Sequence, residues 1–153
     1  MPFCTDYLSD GRGAVQTGEG EVTVAELLAE VAAVRANPAA TQHDYVLVDF
    51  SAMTRFRATM SDLRTLIQQQ AGLAGHATKI AMAVVAPKDV VFGTARMWES
   101  LAYTLPWEIR VTRSRAEAIA WLRQRRPGAF PALPAADEAL VQAWASRANE
   151  PAL

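Results

Sequence analysis

The sequence predicts one α/β domain in which about five strands form a layered sheet covered by helices. Two stretches, YVLVDF at 45–50 and KIAMAVV at 79–85, are nearly continuous apolar runs, typical of strands covered on both faces. Each is followed by a helical pattern after a short connection, and this alternation indicates right-handed crossovers and a mostly parallel core. The chain has 153 residues, of which 51% are hydrophobic, enough for one such core.

The sheet is predicted to begin with an N-terminal hairpin. Residues 3–8 and 13–18 read as short strands, and the intervening Asp10-Gly11-Arg12-Gly13 is typical of a hairpin turn. A fifth strand is predicted at Trp107–Thr112, where apolar and polar residues alternate. Alternation is typical of a strand with one face exposed, so we place this strand at an edge.

Three helices are predicted from the same start signal, a hydroxyl residue followed three positions later by an acid. This capping-box spacing occurs at Thr23–Glu26, Thr59–Asp62 and Ser114–Glu117. A further helix is predicted to begin at Asp89 and to end at Pro106. It carries an apolar stripe with helical spacing, formed by Val91, Ala95, Trp98, Ala102 and Leu105.

The composition changes after residue 125. Prolines at 127, 131 and 134 predict a stiff linker, followed by a short helix over 135–148 with Leu140 and Trp144 on one side. We therefore expect an α/β domain at 1–125 and a C-terminal extension at 126–153. The extension packs back on the domain, the interpretation that the general burial of tryptophan favours, or onto a partner.

Bulk properties exclude several functions. A net charge of −1 offers no general attraction for nucleic acid, and no nucleotide-binding or nucleophile motif is present. Cys4 is the only cysteine, and neither His43 nor His76 has a second ligand at suitable spacing, so we expect no disulfide, metal or cofactor. No apolar run reaches the ~20 residues of a membrane span. With no signal-peptide pattern either, we expect a soluble, cytoplasmic protein.

The segment VVAPKDVVFGTARMWESLA, followed by RSRAEAIAWL, resembles the SpoIIAA-like family of small bacterial proteins. The most specific element is FGTARMWE, and the resemblance covers about residues 10–123. It implies a STAS-like fold, with four or five strands and helices packed on the sheet. Together with the absence of a catalytic constellation, it implies a non-enzymatic regulatory or protein-interaction module whose exact role is unknown.

The resemblance departs from anti-sigma factor antagonists at the residues that they use as a switch. Those proteins carry Asp-Ser-Ser-Gly or a similar sequence, and a kinase phosphorylates the serine. The matching stretch here is Arg57-Ala58-Thr59-Met60-Ser61. Thr59 and Ser61 are weak phosphorylation candidates, because a phosphate is stabilised at a helix N-terminus. Since Arg57 stands where the acid belongs, we do not expect a switch of the usual type.

Polar residues are predicted at the carboxyl edge of the sheet, where open α/β sheets place ligands. Asp49 ends a buried strand and precedes Ser51, while Lys88, Arg113 and Arg115 lie beside predicted helix N-termini. Cations there are disfavoured by the helix dipole, and a bound anion would resolve the conflict. The alternative is that Asp49 accepts hydrogen bonds from loop amides around Ser51 and that the cations are solvated.

A second candidate surface is the face of the predicted Asp89 helix that carries Phe92, Arg96, Glu99 and Tyr103. Gly93 lies in the same helix and costs about 1 kcal/mol relative to alanine, which indicates close backbone packing or a ligand. Arginine and aromatic residues are enriched at interfaces, so we interpret this face as a protein-interaction or self-association surface, or as a pocket wall. The alternative is an ordinary helical salt bridge beside an apolar stripe.

We therefore expect a non-enzymatic module that docks a protein partner, or a second copy as a dimer, through the Phe92–Tyr103 face. The alternative is a binder of an anionic or lipid-like small molecule at the carboxyl edge, near Asp49, Lys88 and Arg113. An enzyme is a third possibility, but it would need a pocket-facing partner for Asp49. We name no catalytic residue.

Overall fold

The computed structural model, which describes residues 3–74 and 79–130, contains one five-stranded sheet on which the helices pack. The strands lie in chain order, β1-β2-β3-β4-β5. β1 runs antiparallel to β2, and all other neighbours are parallel, so the predicted mixed sheet with an N-terminal hairpin is confirmed. The strands are β1 (Phe3–Tyr7), β2 (Gly13–Val22), β3 (Tyr45–Phe56), β4 (Ala81–Val85) and β5 (Glu108–Thr112).

In the part of the chain that the structure describes, four helices cover the sheet, three on one face and one on the other. From β2 onward each new strand is added on the same side of the last, so right-handed crossovers place α1, α2 and α3 on one face. α4 follows the last strand and packs on the opposite face. The helices are α1 (Val24–Ala36), α2 (Met60–Ala74), α3 (Asp89–Leu101) and α4 (Arg115–Arg125), with 3₁₀ turns at Pro38–Gln42 and Ala102–Thr104.

Two hydrophobic cores lie on the two faces of the sheet. Alternate residues of a strand point to opposite faces, so β3 contributes Val46 and Val48 to one core and Leu47 to the other. The α1–α3 core contains large side chains, including Trp98. The α4 core contains several small side chains, including Ala81 and Ala83 of β4. Its main members are Val15, Tyr45, Leu47, Ala81, Ala83, Leu122 and Phe130.

The three predicted caps are present where the sequence places them. The hydroxyl of Thr23 accepts from the Glu26 N–H at 3.2 Å, and the Glu26 carboxylate accepts from the Thr23 N–H at 3.4 Å. Thr59 and Asp62 make the same reciprocal pair, at 3.1 and 2.9 Å. The Ser114 hydroxyl accepts from the Glu117 N–H at 3.1 Å. These bonds satisfy N–H groups that the first helical turn leaves without partners.

The strands β2 and β3 are longer than predicted. The sequence analysis ended them at residues 18 and 50, whereas they continue to Val22 and Phe56 and pair with each other beyond the end of β4. The pairing register shifts twice along this extension, and Gly20 adopts a positive φ of 64°. Polar residues and bulges interrupt the apolar pattern there, which is why the pattern ended early.

The helix α3 is shorter than predicted. All five positions of its predicted stripe are buried, but the α-helix ends at Leu101 and a 3₁₀ turn covers Ala102–Thr104. Pro106 disfavours helical backbone at the residue before it, and the chain leaves the α-helix one turn earlier. Tyr103 therefore lies on the 3₁₀ turn and not on the helix that carries Phe92, which corrects the prediction of one continuous helical face.

The described chain ends at Phe130, inside the α4 core. The Tyr45 hydroxyl donates to the Asp10 carboxylate and accepts from the Phe130 N–H at 3.1 Å. The two rings also pack with centroids 5.1 Å apart, and Phe130 is 1% exposed. Both Ala129 and Phe130 lie after residue 125, the predicted end of the domain. Residues 131–153 of the predicted extension, with Leu140 and Trp144, lie outside the described residues.

Candidate functional site

Asp49 lies at the carboxyl edge of the sheet and is 1% exposed. Its Oδ1 accepts from the Ser51 N–H at 2.8 Å and from the Ser51 hydroxyl. Its Oδ2 accepts from Arg115 Nε at 3.1 Å, from the first turn of α4. The interpretation that Asp49 accepts a hydrogen bond from the Ser51 amide is thus confirmed, but Ser51 lies within β3 and not in a loop. The arrangement neutralises the buried charge, as a buried carboxylate requires.

The predicted cation Lys88 reaches the same edge but points elsewhere. It is the N-cap residue of α3, and its Nζ donates to the Met53 carbonyl at 3.0 Å. Met53 lies in the part of β3 that extends beyond β4. Lys88 therefore ties the start of α3 to that extension. Among the described residues, the carboxylate of Asp49 pairs with Arg115 and makes no direct bond to Lys88 or Arg113.

Arg113 connects the carboxyl edge to the start of α3. Its Nη1 donates to Asp89 Oδ1 at 2.5 Å and to the Pro87 carbonyl at 3.2 Å. Its guanidinium also lies over the Phe92 ring, 4.0 Å from the centroid. The structure thus joins two residues that the sequence analysis assigned to different surfaces. Sequence spacing could not reveal this cation–π contact, because strand order decides which residues meet.

On α3, the predicted Arg96–Glu99 ion pair is present at 2.7 Å. Glu99 has a second role that the sequence did not reveal, since its Oε2 accepts from the Val111 N–H of β5 at 3.1 Å. β5 is an edge strand, and this bond covers one of its outward N–H groups. Phe92 is half-buried against the α1–α3 core, and Tyr103 is 83% exposed.

The exposed side of α3 carries an apolar strip that we call the α3 outer face, formed by Val90, Gly93 and Met97. Val90 is 73% exposed and Met97 is 42% exposed. The spacing of three and four residues puts them on one side of the helix, opposite the buried stripe. A Cβ atom added to Gly93 would meet nothing within 4 Å. The described residues therefore do not supply the close packing expected at this glycine.

The two phosphorylation candidates lie at the exposed start of α2. The Thr59 hydroxyl caps the helix by accepting from the Asp62 N–H, and Ser61 lies in the first turn. The Asp62 carboxylate accepts a hydrogen bond from the Thr59 N–H in return. Thr59 and Ser61 are exposed, and their use as phosphorylation sites stays a prediction.

Within residues 3–74 and 79–130, no group of three histidine, cysteine or acidic side chains could hold a metal ion. No helix of that part is long and apolar enough to cross a membrane. His43 is buried and stacks on Tyr7, with ring centroids 4.8 Å apart. His76 lies outside the described residues.

No protein-family model and no curated protein sequence matches the chain. Among solved structures, it resembles an uncharacterised protein of the DUF3478 family with a SpoIIAA-like fold, from Shewanella loihica PV-4. The identity is 11%, over 78% of this chain and 91% of that one, with a TM-score of 0.50. A second structure is the unphosphorylated anti-sigma factor antagonist SpoIIAA, with 14% identity over 79% and 97% of the chains and a TM-score of 0.47.

The architecture and the first of these comparisons agree. Both describe a layered α/β domain, and the similarity covers most of each chain. At 11% identity the similarity extends to the fold and carries no residue roles. The prediction of a SpoIIAA-like fold is thereby confirmed: this chain has the SpoIIAA-like fold.

Proposed function

We propose that this domain is a non-enzymatic interaction module and that it pairs with a second copy of itself through the α3 outer face. The observation that carries the proposal is Gly93. A glycine inside a helix costs about 1 kcal/mol relative to alanine. No described atom of the chain lies where its side chain would be, so residues 3–74 and 79–130 do not require a glycine there. Close approach of a second chain supplies the missing reason.

The surroundings of Gly93 have the composition of an interface. Val90 and Met97 are exposed apolar side chains on either side of it, and Arg96 forms a polar rim with Glu99. Methionine and arginine are enriched at interfaces, and apolar centres with polar rims are usual there. In a twofold pair of α3 helices crossing at Gly93, the Met97 of each copy packs over the glycine of the other.

The face is also held rigidly, which lowers the entropy lost on docking. Glu99 bonds the end of α3 to β5, Arg113 covers Phe92, and Lys88 fixes the start of the helix. We prefer this surface to an anion site at the carboxyl edge. The side chains of Lys88 and Arg113 already donate to carbonyls and to Asp89, and an anion would have to displace those bonds.

Sedimentation velocity over a concentration series tests the proposal. We expect a reversible dimer, and we expect Gly93→Ala and Arg96→Glu each to weaken dimerisation by about tenfold, the effect of roughly 1.4 kcal/mol. Gly93→Ala should at the same time raise the free energy of unfolding of the monomer by about 1 kcal/mol.

The matched control is Gly72→Ala, which replaces a second exposed helical glycine, on α2. Its Cβ would lie 2.7 Å from Arg35 Nη2, so the Arg35 side chain must shift and give up its bond to the Gln69 carbonyl, away from α3. This variant should dimerise like the unaltered protein. A wild-type chain that is monomeric at every concentration, or Gly93→Ala with unchanged dimerisation, would contradict the proposal.

A further inference from the structure

A cavity of about 80 Å³ lies between the sheet and the three helices of the α1–α3 face. Its walls are mainly apolar side chains of both layers, including Met53, Val84 and Ala95. Polar side chains line it at three places: Gln70 of α2, Thr94 of α3, and the pair formed by Gln16 and Glu30. The Thr94 hydroxyl already donates to the Val90 carbonyl at 3.2 Å. A mostly apolar cavity with a few convergent polar groups is the usual form of a small-molecule site.

We propose that this cavity binds a neutral, mostly apolar small molecule that carries one hydrogen-bond acceptor. The site is separate from the α3 outer face and from the carboxyl-edge cations. The class of ligand follows from three features of the cavity: the direction of the Gln70 amide, the charge of Glu30, and the volume.

Trp98 sets the direction of the Gln70 amide. The indole N–H can only donate, and Trp98 Nε1 donates to Gln70 Oε1 at 2.9 Å in the buried core. The side-chain atom that faces the Trp98 N–H is thereby the amide oxygen, and the NH₂ group is left to donate to another acceptor. Within the described chain, that nitrogen makes no hydrogen bond to another residue, and Gln70 is only 9% exposed. A ligand acceptor such as a ketone oxygen would satisfy it.

Glu30 excludes anions. Its carboxylate accepts a hydrogen bond from the Thr5 hydroxyl, which accepts in turn from Gln16 Nε2 at 3.2 Å. Gln16 and Glu30 are half-buried, so this end of the cavity reaches the surface. A carboxylate or phosphate entering there would meet the like charge of Glu30. The site therefore selects neutral molecules.

The volume limits the ligand to a single ring or a short chain. An apolar cavity of about 150 Å³ lined by leucine, isoleucine and phenylalanine binds benzene with room to spare. The present cavity is smaller, but Met53 and Met82 contribute flexible walls that can adapt to a ligand.

Three probes of similar size separate these features: acetophenone, toluene and benzoate. We expect acetophenone to bind about fivefold to tenfold more tightly than toluene, the effect of one hydrogen bond to the Gln70 amide. Benzoate should not bind. Calorimetric titration gives the three affinities, and intermolecular NOEs from acetophenone to the methyl groups of Met53 and Val84 locate the ligand without any variant.

Two variants and a control complete the test. Ala95→Leu fills the cavity and should abolish binding of both neutral probes. Its control, Ala33→Leu, makes the same change on the exposed side of α1 and should leave both affinities unchanged. Gln70→Leu should remove the preference for acetophenone over toluene. Absence of the NOEs, equal probe affinities of the wild type and Ala95→Leu, or tight benzoate binding would overturn the proposal.

Discussion

At the scale of single residues, Asp49 shows how far local sequence reasoning reaches. Its position at the end of an apolar run predicts that Asp49 is buried at the carboxyl edge, and Ser51 two residues on predicts the amide that it binds. The predicted strand end is wrong, because β3 continues to Phe56. The sequence places Arg115 at a helix start but does not show that it pairs with Asp49, because 66 positions separate them. Only the sheet order and the side on which α4 packs bring the two together.

Asp49→Asn should lower the free energy of unfolding by about 2 kcal/mol, measured by urea denaturation. The amide keeps the size of the side chain, but it removes the charge that Arg115 and Ser51 stabilise, and bonds to charged groups contribute about 1.5–3 kcal/mol. Asp89→Asn is the matched control, because it disrupts the ion pair between Asp89 and Arg113, in which the Asp89 side chain is 89% exposed. It should cost less than about 1 kcal/mol. Equal losses in the two variants would contradict a structural role for the buried pair.

At the scale of elements, the starts of the helices and the ends of β4 and β5 could be predicted, whereas the ends of β2 and β3 could not. A cap is a contact between residues three apart, so the sequence shows both partners at once. The extension of β2 and β3 depends on pairing between distant residues, and a bulge near Gly20 hides it from any periodic pattern. The early end of α3 has a partial signal in Pro106, which marks a boundary region but not the exact residue.

Thr59→Ala should lower the free energy of unfolding by about 1 kcal/mol, because the cap bond to the Asp62 N–H is lost. Ser61→Ala is the control in the same helical turn, where the sequence analysis also placed a hydroxyl. That change should alter stability by no more than about 0.5 kcal/mol, as surface substitutions usually do. Chemical denaturation of the two variants side by side checks this. A larger loss for Ser61→Ala than for Thr59→Ala would show that the cap is assigned to the wrong residue.

At the scale of the whole molecule, the alternation of elements was enough to predict a layered, mostly parallel sheet. The division of the helices into three on one face and one on the other was not predicted, nor was the cavity that the three enclose. Both depend on how the strands are ordered and how side chains of separate elements fill the space between layers. No local feature indicates that Phe130 is buried, since it lies among prolines and small residues.

The stability of the whole domain should decrease as the pH falls through the range just below 6.5, and His43 is the cause. Burial lowers the pKa of His43, against the opposing effect of the Asp10 and Asp44 carboxylates. Below pH 6.5 the unfolded chain therefore binds a proton that the folded chain does not, which favours unfolding until the lower folded pKa is passed. His43→Phe keeps a ring stacked on Tyr7 and should flatten this part of the curve in urea titrations at stepped pH.

A second decrease in stability, at lower pH, is expected from Asp10 and can be told apart from the decrease caused by His43. Burial would raise the pKa of Asp10, but hydrogen bonds from Tyr45 and from the N–H groups of Arg12 and Gly13 lower it below 3.8. Its stabilising effect is lost as the pH falls below that value. His43→Phe should leave this lower transition unchanged. If the variant keeps the wild-type slope near pH 6, the titrating group lies elsewhere.

The contact between Tyr45 and Phe130 also sets an order of events during synthesis. A growing chain emerges from its N-terminus, and domains tend to form as their segments become available. The layer that contains α1, α2 and α3 can assemble once β5 has been made. The opposite layer must wait for residue 130, because Phe130 supplies a large buried side chain and the N–H that donates to the Tyr45 hydroxyl. Until then the nascent domain has one face of its sheet covered by helices, while apolar residues of the other face stay exposed to the cell.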